Sequence, residues 1–184
     1  MNMYKKIWVI DTCVLLAWLD VPGKNTCEIE GEKWDKSYVE ELIQQAENTT
    51  LVLPLATLIE TGNHIAQIKK SYGSQRYPLA QKLAELLIEA IDEKSPWAAF
   101  TEQYDLWEEE TLKKLAKEWP PLAAQADAKK DKGGLSMGDV TIKWIAEYYA
   151  DMGYHVKTLT GDQGLKSYEP VLKTQKPPRR RKYH

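Results

Sequence analysis

The chain reads as an α/β fold of three layers, α/β/α, with helices on both faces of a central parallel sheet and a helical insertion in its middle third. Two observations predict it. Short β-rich apolar runs alternate with stretches whose apolar residues return at helical spacing, the pattern of repeated strand and helix units. Two of the three predicted strands end in an aspartate, and the carboxyl edge of an open parallel sheet is where ligands bind in such folds. At 184 residues the chain can bury one core without metal or disulfide staples. One domain is therefore expected over residues 1–174, with the insertion at about 73–132 and a basic tail at 175–184.

The first element lies in KKIWVIDTCVLLAWLDVPG, Lys5 to Gly23. Ile7 to Ile10 form a buried strand, Asp11 ends it, and Val14, Leu15, Trp18 and Leu19 make the apolar stripe of a helix. Val21 to Gly31 carries Pro, Gly, Asn and Glu and is expected as an exposed loop. A helix from about Lys36 to Glu47 follows, then TTLVLP as the second strand. Pro54 suits the first turn of a helix over LATLIETGNHIAQIKK, where its missing amide proton costs nothing. From Tyr77 to about Ala126 the pattern is helical, with Trp97, Trp107 and Trp119 expected to build a small satellite core and WPP at Trp119 to Pro121 expected to break the chain's course. AKKDKGG, Ala128 to Gly134, is a loop, and Ser136 caps a helix that runs to Met152 and stops at Gly153. YHVKTLTGD is the third strand, ending at Asp162, and KPPRRRKYH is an extended tail.

Composition narrows the class. Lys and Arg number 25 against 27 Asp and Glu, a formal charge of -2, so the sum does not announce a nucleic-acid binder and only local patches can. Two cysteines, one of them inside an apolar segment, do not make a disulfide framework and fit a reducing compartment, so a cytoplasmic location is expected. No stretch approaches the roughly 20 apolar residues of a membrane span, so no membrane partner is expected.

Parallel strands bring Asp11 and Asp162 to one sheet edge, and Glu60 and Asp139, read as lying in the first turns of helices that follow strands, face the same edge. Each acid taken alone is equally a helix cap or a solvated charge. Jointly they suggest a cation site, because clustered carboxylates repel and one of them must otherwise hold a proton. Oxygen ligands favour Mg2+ or Mn2+, and the chemistry such ions support is phosphodiester hydrolysis.

These residues resemble the PIN-domain ribonucleases, which include the VapC toxins. VIDTCVLLAWL is similar to the family's first motif, LPLATLIETGNHI to the second, and SMGDVTIKWIAEYYADMGYHVKTLTGDQGL to the third and fourth. The resemblance implies a PIN-like domain and a Mg2+- or Mn2+-dependent endoribonuclease, with Asp11, Glu60, Asp139 and Asp162 as catalytic metal ligands and Thr12 and Thr160 as polar helpers. RNA is the implied substrate, cut to 5′-phosphate and 3′-hydroxyl ends. A toxin's role, a protein antitoxin or inhibitor, and a homodimer are further implications. Two departures stand out: Cys13 occupies a position where many members have Asn or Ser, and the stretch between Glu60 and Asp139 is longer than in minimal members.

His64, four residues after Glu60, is expected beside the ligands and not among them, and Lys143, four after Asp139, either pairs with that acid or reaches a phosphate. Arg179, Arg180, Arg181 and Lys182 are a phosphate-binding arm or a solvated end. Two rival functions remain at this level. One is a non-catalytic binding or regulatory module on the same fold. The other is a haloacid-dehalogenase-like phosphatase, which requires a second acid two residues after Asp11, where this chain has Cys13.

Overall fold

A computed structural model describes residues 5–125 and 134–171. The core is a parallel four-stranded sheet built from β1 (Lys6–Ile10), β4 (Thr49–Leu53), β5 (Trp97–Ala99) and β6 (His155–Leu159), in the order β5-β4-β1-β6. Ile7 pairs with Thr50 on one side and Val156 on the other, so β1 is central. Successive side chains leave a strand on opposite faces, and both faces here are apolar. Ile10, Leu51, Leu53 and Leu159 join one buried cluster; Ile7, Val9, Val52 and Val156 join the other. Buried aliphatic strands of this kind require helices on both sides.

The first cluster is closed by α1 (Thr12–Trp18), α2 (Lys36–Gln44), α3 (Leu55–Ala66) and α4 (Arg76–Ile91), through side chains such as Leu15, Val39, Leu58 and Leu86. The second is closed by α5 (Glu109–Ala124), α6 (Met137–Asp151) and the short α7 (Gln163–Lys166), through Leu115, Ile145 and Leu165. Strand order decides where a ligand fits. From β1 the chain winds outward through β4 to β5, then returns to add β6 on the other side of β1. The connections leave β1 and β6 in opposite directions, which opens a crevice outside their carboxyl ends.

Three expectations need correction. Val21 to Gly31 is not simply an exposed loop, since β2 (Cys27–Ile29) pairs antiparallel with β3 (Glu32–Trp34) and buries Ile29 and Trp34. Glu30 and Gly31 join the two strands with positive φ, 54° and 84°, the backbone of a two-residue hairpin turn. The stretch 73–132 is not helical throughout, because it supplies β5, whose Trp97, Ala98 and Ala99 are all buried. Trp97 stacks at a tilt on Trp18 of α1, ring centroids 5.3 Å apart, so this tryptophan belongs to the main core. Lastly, α5 continues through Pro120 and Pro121 to Ala124. Trp119 packs on the second cluster and its indole donates to the Leu135 carbonyl at 3.2 Å, which anchors the turn that the prolines weaken. Among the described residues, no helix is long and apolar enough to cross a membrane. The tail at 175–184, with Arg179 to Lys182, lies outside the described residues.

Candidate active site

The crevice between β1 and β6 is a pocket of about 620 Å³, lined by Asp11, Glu60, Asp139 and Asp162 together with Thr12 and His64. Its wall also includes Lys24, Thr26, Cys27, Glu28, Glu30 and Gly31, all from the segment leading into and through the β2–β3 hairpin. Sequence reading missed that wall by taking the segment as loop. The x-Gly pair at Glu30–Gly31, with Ile29 directly before it and Trp34 three residues after it, was the available signal.

Asp11 follows β1 and caps α1, its Oδ1 accepting from the Thr12 amide at 2.6 Å. The Thr160 hydroxyl donates to Oδ2 at 2.6 Å, and the Cys13 thiol donates to the same oxygen at 3.5 Å. Capping α1 and lining the pocket are thus not alternatives, since one carboxylate does both. Only 7 % of Asp11 is exposed. Burial pushes its carboxyl above the ordinary range; the Thr160 and Thr12 hydrogen bonds oppose that rise, and the Asp139 charge adds to it.

Glu60 lies in the second turn of α3 and not the first, because Pro54 is the N-cap and the helix begins at Leu55. Its Oε2 accepts from the Thr12 hydroxyl at 2.7 Å, tying α3 to the start of α1. Gly138 leaves room for it, for a Cβ there would stand 2.5 Å from Glu60 Oε1. Asp139 closes a capping box: its amide donates to Ser136 Oγ at 3.0 Å and its Oδ2 accepts from the Ser136 amide at 2.8 Å. Asp162 caps α7, accepting from the Gly164 and Leu165 amides at 2.6 and 3.2 Å, while its own amide donates to the Thr160 hydroxyl at 2.9 Å. Thr160 therefore links Asp162 to Asp11.

Lys143 pairs with Glu147, 2.8 Å off and one turn further along α6, whereas the Asp139 carboxylate accepts from the Ser136 amide. Its ammonium also stands 5.8 Å from the Tyr168 ring centre.

Among the described residues, six carboxylates line the pocket with one lysine, Lys24. Such a lining attracts cations and repels a phosphate unless a cation intervenes. Among the described residues, no three His, Cys, Asp or Glu side chains stand together as a group able to hold a metal ion. The donor chemistry nevertheless suits a hard divalent cation: anionic oxygens from four different elements face one water-accessible space, and Asp139 raises the cost of charge on Asp11. Compared with known proteins, the chain matches no family model, no curated protein and no solved structure.

Proposed function

We propose that this chain is a PIN-like, metal-dependent ribonuclease that hydrolyses RNA phosphodiesters to 5′-phosphate and 3′-hydroxyl ends. The observation that carries the reading is the convergence of Asp11, Glu60, Asp139 and Asp162 on one pocket at the carboxyl edge of β1 and β6. Asp11, Glu60, Asp139 and Asp162 would hold Mg2+ or Mn2+. When bound, the ion would acidify an attacking water and offset charge on the leaving oxygen.

The chain's own residues supply the rest. Thr12 and Thr160 hold Glu60 and Asp11 in place by short hydrogen bonds. Lys24 is the cationic side chain of the lining able to meet a backbone phosphate, and His64 borders the same space. A pocket open to solvent suits an unstructured strand, and the 2′-hydroxyl serves recognition. The phosphatase reading lacks its general acid, because the side chain two residues after Asp11 is a thiol that donates to Asp11.

The test is cleavage of an unstructured RNA with Mn2+ or Mg2+, followed by end-group analysis. Products with 5′-phosphate and 3′-hydroxyl ends are expected, with cleavage lost in EDTA. A 2′,3′-cyclic phosphate, or cleavage that persists in EDTA, overturns the mechanism.

A further inference from the structure

The free edge of the sheet and the tip of the hairpin meet at one ammonium group. β6 is the last strand in the sheet order, and since its Leu159 carbonyl accepts from the Asp11 amide, Thr158 turns its own amide and carbonyl outward. Glu169 Oε2 accepts from that amide at 2.6 Å, while Lys166 Nζ of α7 donates to that carbonyl at 3.1 Å and to Glu169 Oε2 at 2.6 Å. The same ammonium stands 3.7 Å from Glu30 Oε1, in the turn of the β2–β3 hairpin. A second contact lies alongside. Gly161, between β6 and α7, has no room for a Cβ, which would stand 2.6 Å from the Glu28 carbonyl. Glu28, Glu30, Gly161 and Asp162 all line the acidic pocket, so these two contacts join its hairpin wall to the turn that carries Asp162.

We infer that Lys166 is a positioning residue of the acidic pocket, tying the free edge of β6 to the tip of the β2–β3 hairpin and so holding the hairpin in place as the pocket's wall. An exposed ion pair by itself holds little. Here the lysine side chain is only 17 % exposed, and its other two hydrogen bonds fix the ammonium before Glu30 arrives, so the glutamate meets a charge already in position. Without that charge, Glu30 and Glu169 face each other with no cation between them and the Thr158 carbonyl loses its donor, which releases the tip. Asp162 does not move with it, because the Gly164 and Leu165 amides and the Thr160 hydroxyl hold it from within its own turn. The consequence for RNA rests on the nuclease reading above. The segment leading into the hairpin brings Lys24 and Thr26 to the lining, so a loosened wall weakens the hold on substrate and leaves the acids, and with them the turnover, as they were.

The test is amide hydrogen exchange of the full chain, read by mass spectrometry, for the wild type, Lys166→Met, Lys166→Arg and Glu30→Gln. In Lys166→Met the hairpin amides, residues 27–34, should exchange about tenfold faster, while those of β1 and β4 keep the wild-type rate. Lys166→Arg, which keeps the charge, should restore slow exchange. Glu30→Gln removes the tip contact alone and should speed the hairpin in the same direction by less. With an unstructured RNA and Mn2+, Lys166→Met should raise KM several-fold at unchanged kcat. Hairpin exchange at the wild-type rate in Lys166→Met, equal acceleration in β1 and β4, or a hairpin that opens in Lys166→Met but not at all in Glu30→Gln would each overturn the inference. A wild type that cleaves no RNA defeats the nuclease reading instead, and the exchange rates then decide the role of Lys166 without it.

Discussion

Asp11 answers two opposed demands. Its carboxylate ends β1 and caps α1, which places it where burial makes charge costly, and the Asp139 carboxylate adds repulsion. The Thr160 and Thr12 donors return part of that cost. A carboxyl raised in the folded state binds more protons folded than unfolded, so its contribution to stability is present at low pH and is lost as pH rises. For Asp11 the loss begins near the ordinary value of 3.8 and is complete above its raised folded value. Asp11→Asn removes the titration while keeping the shape. In EDTA at neutral pH the variant should melt at or above the wild-type temperature, and the wild type's decline across the acid range should flatten. Its RNA cleavage should vanish. A variant that melts well below wild type at pH 7 would mean that the charge itself holds the fold.

At the scale of elements, the start of α6 shows local helix rules serving a site. Ser136 supplies the cap and Asp139 completes the box, so Gly138 is not needed to begin the helix. Alanine is the better helix former by about 1 kcal/mol in a helix interior. Gly138→Ala should therefore leave thermal stability unchanged or slightly raised. Its Cβ, however, meets the end of the Glu60 side chain at 2.5 Å, and the flexible glutamate must swing aside. Misplacement of about 1 Å in a catalytic group costs on the order of a hundredfold in rate. The variant should fold normally by circular dichroism and cleave RNA that much more slowly at saturating Mn2+. Wild-type rates in this variant would remove Glu60 from the chemistry.

At the scale of the molecule, the pocket exists because β6 returns to the far side of β1 after the chain has gone outward to β5. The stretch 73–132 is part of that path. It contributes Leu79, Leu86 and Ala90 to one core cluster and Ala98 and Leu115 to the other, besides the edge strand itself. Replacing residues 73–132 by a short Gly/Ser linker should abolish cooperative unfolding in urea, since several large buried side chains at roughly 2–5 kcal/mol each exceed a domain's usual margin. A soluble, cooperatively melting product would show that the segment is a dispensable insertion.

The sequence by itself determined the elements whose causes are local. β1, β4 and β6 form where short apolar runs stand, within three residues of the expected ends, and Asp11 and Ser136 cap helices because a side-chain oxygen next to free amides needs no distant partner. It also brought four acids forward as a set, by placing two of them after parallel strands. Tertiary structure alone decided the rest. Three residues, Trp97 to Ala99, become a strand only by pairing with β4, and of the two acids four residues to either side of it Lys143 pairs with Glu147. The hairpin closes the pocket only because Ile29 and Trp34 find the main core. Local hydrogen bonds and periodicity are written within a few residues, whereas burial and the choice among partners depend on which distant surfaces meet when the chain folds.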